Sequence, residues 1–163
     1  MKKMNTLLLL GLVAVLILPL GLIAQAKAPD KKPELVKLKP DIVIHNLTIA
    51  KTGEKPDGTH QVRITVVLRN ASTFTNCTGP FKVLLEWTQN PTAGFNYLRE
   101  GGVAKLCFNS AAAAVATTTL TFDDEVPARQ FKKYRVTADH LNQVAESNET
   151  NNINSVGYNN GSV

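Results

Sequence analysis

Four oxygen-bearing side chains near the end of the chain, Asp139, Asn142, Glu146 and Glu149, have the chemistry to hold a hard cation. Calcium takes about six to eight oxygen ligands, and carboxylates and amide carbonyls supply them. The spacing follows no EF-hand loop and lacks that loop's glycine. The same residues also read without a metal. Asp139 and Asn142 then bond nearby backbone amides, Glu146 closes the turn, and Asn151-Asn152 anchors the strand that follows. Both readings stand at this level, and no cofactor other than calcium is suggested.

Catalytic chemistry has less to work with. A hydrolase needs a nucleophile beside a base, with an acid to orient it. The histidines His45, His60 and His140 each fall beside a turn or bulge signal, with no serine elbow, paired-histidine zinc motif or phosphate-binding glycine loop nearby. The acidic run Asp123-Asp124-Glu125 and the basic group Arg129, Lys132, Lys133 and Arg135 read as solvated surface. The expectation is a protein that is not an enzyme.

Residues 1–26 have the three zones of a secretory signal: Lys2 and Lys3, an apolar run from Leu7 to Ile23, then Ala24-Gln25-Ala26 as a cleavage site. Cleavage after Ala26 is expected, with retention as a membrane anchor as the alternative; cleavage removes two positive charges from the formal +5 and leaves +3. With basic residues scattered, no nucleic-acid partner is expected. After signal removal no membrane segment is expected either, so the mature protein is periplasmic or secreted. In that compartment disulfides persist, and Cys77 with Cys107 forms an even pair without metal-ligand or redox spacing. A bridge is expected there, with two separate buried thiols as the alternative.

The elements that must position these groups are strands. Residues 27–39 are rich in Lys and Pro and read as a flexible lead-in. Ile42 and Ile44 share one phase, while Leu47 and Ile49 take the other, which a bulge near His45-Asn46 reconciles. Lys51 to His60 carries turn chemistry. Val62, Ile64, Val66 and Leu68 alternate with outward residues, as do Phe81, Val83, Leu85 and Trp87. Weaker strand material follows at 95–98 and 103–108, then Leu120 and Phe122, then Tyr134, Val136 and Ala138, and last Ile153 to Tyr158. Residues 159–163 read as a frayed tail. Many short strands without sustained helical spacing mean an all-β sandwich. Its loops 73–79, 90–96 and 139–148 are the natural binding sites, with Phe74, Phe95 and Tyr97 as candidate contact residues.

The stretch YRVTADHLNQVAESNETNN, Tyr134 to Asn152, resembles the C-terminal signature of the CARDB family, the cell adhesion related domain found in bacteria. The matching positions are Asp139, Asn142, Glu146, Ser147, Glu149, Asn151 and Asn152. Lys39 to Ile44 looks like that family's opening strand, and Val62 to Asn70 like its second. The resemblance implies an immunoglobulin-like sandwich of about seven antiparallel strands over residues 40–158, adhesive or spacing in role. The long stretch between Trp87 and Leu120 departs from that pattern. The function expected first is an exported, non-catalytic binding or adhesion module meeting a protein or glycan at the cell surface. A structural accessory subunit or spacer comes second. An enzyme or an enzyme inhibitor comes third, and needs a site the sequence does not display.

Overall fold

Val62, Ile64, Val66 and Leu68 have no exposed surface, while Gln61 and Arg63 beside them face water. This alternation makes a strand with one wet face, and it repeats through the molecule. The computed structural model describes residues 38–90, 92–109, 114–115 and 117–161. The expected signal, residues 1–26, most of the lead-in, Pro91, most of the alanine-rich stretch and residues 162–163 lie outside the described residues.

The described elements are β1 (Ile42–Glu54), β2 (His60–Asn70), β3 (Asn76–Cys77), β4 (Phe81–Thr88), β5 (Asn96–Val103), β6 (Cys107–Asn109), β7 (Ala114–Val115), β8 (Thr117–Val126), β9 (Phe131–Ala138) and β10 (Ile153–Asn159). One sheet has the order β1-β2-β8 and the facing sheet β10-β9-β4-β5, with β3-β6-β7 forming a small third sheet. Neighbouring strands pair antiparallel throughout. The two main sheets supply the seven strands of the expected immunoglobulin-like sandwich. Phe81, Val83, Leu85, Tyr134, Val136 and Ala138 from one sheet meet Ile42, Val62, Ile64, Val66, Leu68, Phe122 and Val126 from the other. No helix among the described residues is long and apolar enough to cross a membrane.

The bulge in β1 falls where the phase change requires it. Ile44 pairs with Leu68 and Asn46 with Val67, leaving His45 as the extra residue. Several boundaries differ from expectation. β1 runs on to Glu54 through a second irregularity between Lys51 and Gly53, so the turn shrinks to Lys55–Thr59. There Gly58 takes a φ of 79°, a conformation that suits glycine. Of the weak strand material expected at 95–98 and 103–108, the first grows into β5 through Val103, and the second leaves only Cys107 and Phe108 in strand, in β6. A Cβ on Gly101 would stand 3.1 Å from Phe122 and 3.2 Å from Leu120, so the glycine lets the two sheets close at that edge. β8 absorbs the acidic run. Of the expected tail 159–163, Asn159 belongs to β10, and Asn160 is buried, its side-chain amide donating to the carbonyls of Gly58 and Val126, while 162–163 lie outside the described residues.

The registers place every element between two ends. Ile42, Asn70, Phe81, Val103, Ala138 and Ile153 lie at one, called here the hairpin end. Glu54, His60, Trp87, Asn96, Val126 and Phe131 lie at the other, the far end.

Candidate functional site

Where β9 stops at Ala138, the chain needs two residues that tolerate left-handed backbone, and Asp139 (φ 45°) and Asn142 (φ 50°) are of the types that do. The Asp139 side chain, 1% exposed, accepts the N–H groups of Gln143 and Val144, each at 2.8 Å. Its backbone carbonyl accepts the N–H of Asn142 at 2.8 Å. These bonds tuck Val144 into the core, where it is 7% exposed.

Two residues later the chain turns a carboxylate inward. Glu146 is 3% exposed; its Oε2 accepts the N–H of Ile42 at 2.6 Å, and its Oε1 accepts from Asn152 Nδ2 at 2.9 Å. Its own N–H donates to Glu149 Oε1 at 2.9 Å. Asn151 Nδ2 donates to Asp41 Oδ1 at 2.8 Å, and the Ser147 N–H donates to the carbonyl of Pro40 at 2.9 Å. The Asn152 carbonyl accepts the N–H of Ala138. Residues 146–152 therefore grip residues 40–42 and also close their own hairpin. Burial pushes the Glu146 carboxyl up to about 7; the bonds from Ile42 and Asn152 oppose this, while the like charges of Glu149 and Asp139 add to it.

Of the residues grouped by sequence for calcium, the structure gives Asp139 and Glu146 to backbone amides and places Asn142 on the exposed turn. Among the described residues no three acidic, histidine or cysteine side chains converge to hold an ion. The asparagine and turn roles expected for Asp139, Asn151 and Asn152 are present. The link to Pro40, Asp41 and Ile42 was missed, because a pairing between the two ends of a chain leaves no local signal.

Cys77 and Cys107 are joined in a disulfide between β3 and β6, pinning the small sheet at the hairpin end. The candidate contact residues divide between the two ends. Phe74, 51% exposed, precedes β3 at the hairpin end, with Leu141 at 57% in the hairpin loop of the same end. Phe95 and Tyr97 lie at the far end. Tyr97 is 67% exposed, whereas Phe95 carries the Arg135 guanidinium 4.1 Å over its ring and lines a cavity of about 410 Å³ with Trp87 and Asn96.

Two members of the charged groups, Asp124 and Lys132, depart from the reading of a solvated surface, while Asp123, Glu125 and Arg129 are exposed as expected. Asp124 takes an inward position on β8, and its Oδ2 accepts from Lys132 Nζ and from Tyr134 OH, each at 2.8 Å. Lys132 is 7% exposed and stands 4.5 Å over the Trp87 ring. This polar bridge joins the two sheets inside the sandwich. The histidines are engaged elsewhere: His60 Nδ1 lies 2.9 Å from Tyr158 OH, and His140 Nε2 lies 2.7 Å from Glu100. That bond from His140 is the main cause holding the Glu100 carboxyl below its usual value. His45 is exposed.

Fold and hairpin together define an immunoglobulin-like sandwich closed by an acidic clasp. The CARDB family model matches residues 39–156, and the chain belongs to this adhesion-related, non-enzymatic domain family. Among solved structures it is similar to the CARDB domain of a Pyrococcus furiosus protein in complex with di-metal ions, at 16% identity and a TM-score of 0.50 over 74% of this chain and 88% of that one. The solution structure of the same domain is similar at 15% identity and a TM-score of 0.45, covering 74% and 94%. A Bifidobacterium adolescentis β-glucosidase is similar over 72% of this chain and 17% of its own, at 16% identity and a TM-score of 0.36. No curated protein sequence matches the chain.

Proposed function

We propose that this chain is an exported, non-catalytic binding module of the cell envelope or surface, meeting a protein or glycan through loops at the hairpin end. The observation that carries the reading is the exposure of Phe74 and Leu141 in two loops of that end. Large apolar side chains on loops held by a rigid sandwich mark interaction sites. The signal-like residues 1–26 and the Cys77–Cys107 bridge support export to an oxidising compartment. Membership of a non-enzymatic domain family supports a non-catalytic role. A photo-crosslinking residue at position 74 in producing cells is expected to capture one dominant partner that the same residue at position 97 does not. Equal capture at both positions, or none at either, contradicts the reading.

A spacer role is favoured by a different observation. β1 starts at the hairpin end and β10 stops at the far end, so the domain enters at one end and leaves at the other. This second reading predicts a stable complex or oligomer. A strictly monomeric protein without a recoverable partner counts against it.

A further inference from the structure

We propose that the hairpin clasp is a site for a hard divalent cation of the calcium class, with Asp41, Glu146, Asn151 and Asn152 as its donors. Asn151 Oδ1 and Asn152 Oδ1 are both buried without a hydrogen-bond partner. Such orphaned carbonyl oxygens are rare in folded proteins and call for a donor, a water or an ion. Each belongs to an amide already fixed against a carboxylate: Asn151 Nδ2 lies 2.8 Å from Asp41 Oδ1, and Asn152 Nδ2 lies 2.9 Å from Glu146 Oε1. Asp41 and Glu146 are themselves close, since Glu146 Oε2 lies 2.6 Å from the nitrogen of the residue after Asp41. Each of two carboxylates thus holds the nitrogen of an amide whose oxygen is unpartnered, with Asn152 only 5% exposed.

Charge points the same way. The ionisable groups acting on Glu146 are Glu149 and Asp139, both of its own sign. A cation would relieve that repulsion and accept the orphaned oxygens together. All four donors are hard oxygen ligands, which suit calcium, magnesium or manganese and disfavour thiophilic metals. The set differs from the grouping read in the sequence. Asp139 leaves it because neither of its partners, Gln143 and Val144, carries an orphaned oxygen, and Asp41 and Asn151 join it from distant points of the sequence. The site stands whether or not the loops bind a surface partner.

The test is titration of the chelator-stripped, exported protein with calcium chloride, followed by calorimetry and thermal melting. Saturable heat and a melting-temperature rise of roughly 5 °C at saturating calcium are expected. Asn151→Ala and Asp41→Asn should each weaken binding at least about tenfold, while Asn142→Ala binds as the parent does. Absence of saturable binding for calcium, magnesium and manganese overturns the proposal, as does unchanged binding in both donor variants. Should those variants fail to fold, amide NMR of the parent decides. Calcium-induced shifts confined to residues 41–42 and 146–152 support the site, and shifts centred elsewhere refute it.

Discussion

Glu146 Oε2 accepts the backbone N–H of Ile42 at 2.6 Å across 104 positions of sequence. One buried carboxyl thereby fixes where the first strand begins and where the last hairpin closes. Removing it leaves both the Ile42 N–H and the Asn152 amide buried without an acceptor. Glu146→Ala is therefore expected to cost about 3 kcal/mol in urea unfolding, with Glu146→Gln less damaging because its amide oxygen still accepts.

The same group sets a pH dependence. Its folded value of about 7 stands above the ordinary 4.5, so between those values the folded chain holds a proton that the unfolded chain has lost. The stabilisation is complete below about 4.5 and is lost as pH rises through 7, amounting to at most about 3 kcal/mol. Without added divalent ions, stability measured from pH 4.5 to 8 should decline in the parent and flatten in Glu146→Gln. An equal decline in both assigns it to another group.

Asp124 and Lys132 form a buried pair that also holds Tyr134 OH, and burial with the Asp124 bond raises the tyrosine's pKa. Asp124→Ala strands the ammonium of Lys132 inside the sandwich and should cost about 3–5 kcal/mol. Adding Lys132→Met removes the stranded charge, so the double variant should be more stable than Asp124→Ala alone. A double-mutant cycle by denaturant unfolding measures the difference.

The Cys77–Cys107 bridge closes a separation of 30 residues. Replacing both cysteines with serine should lower stability by about 3 kcal/mol. The loss should concentrate in the small sheet and the loop carrying Phe74, visible as faster amide exchange there than in β2 or β9.

The sandwich was legible because alternation is local: β2, β4 and β9 each announce a buried face in three or four alternate residues. The bulge at His45 was legible for the same reason, as a phase change between Ile44 and Leu47. Asp124 and Lys132 were not. Charged residues at inward phase look like surface until the partner strand supplies the opposite charge, and that pairing lies between sheets. The length of β5 was not legible: Gly101 carries no strand signal of its own, and only the close approach of Phe122 and Leu120 explains why a small residue stands there. In the clasp, Asp139 and Asn142 were legible from their left-handed preference. The grip on Pro40, Asp41 and Ile42 depends on bringing the two ends of the domain together, which no local spacing encodes.

Binding to the cell surface tests the central claim most directly. Fluorescently labelled protein spanning residues 27–163 is titrated onto intact cells of the organism that encodes it, and the bound fraction is read by flow cytometry. Saturable binding is predicted, weakened at least about tenfold by Phe74→Ser with Leu141→Ser and unchanged by Tyr97→Ser. A folded protein with no saturable binding, or a Phe74/Leu141 variant that binds like its parent, contradicts a binding module that works through its hairpin end.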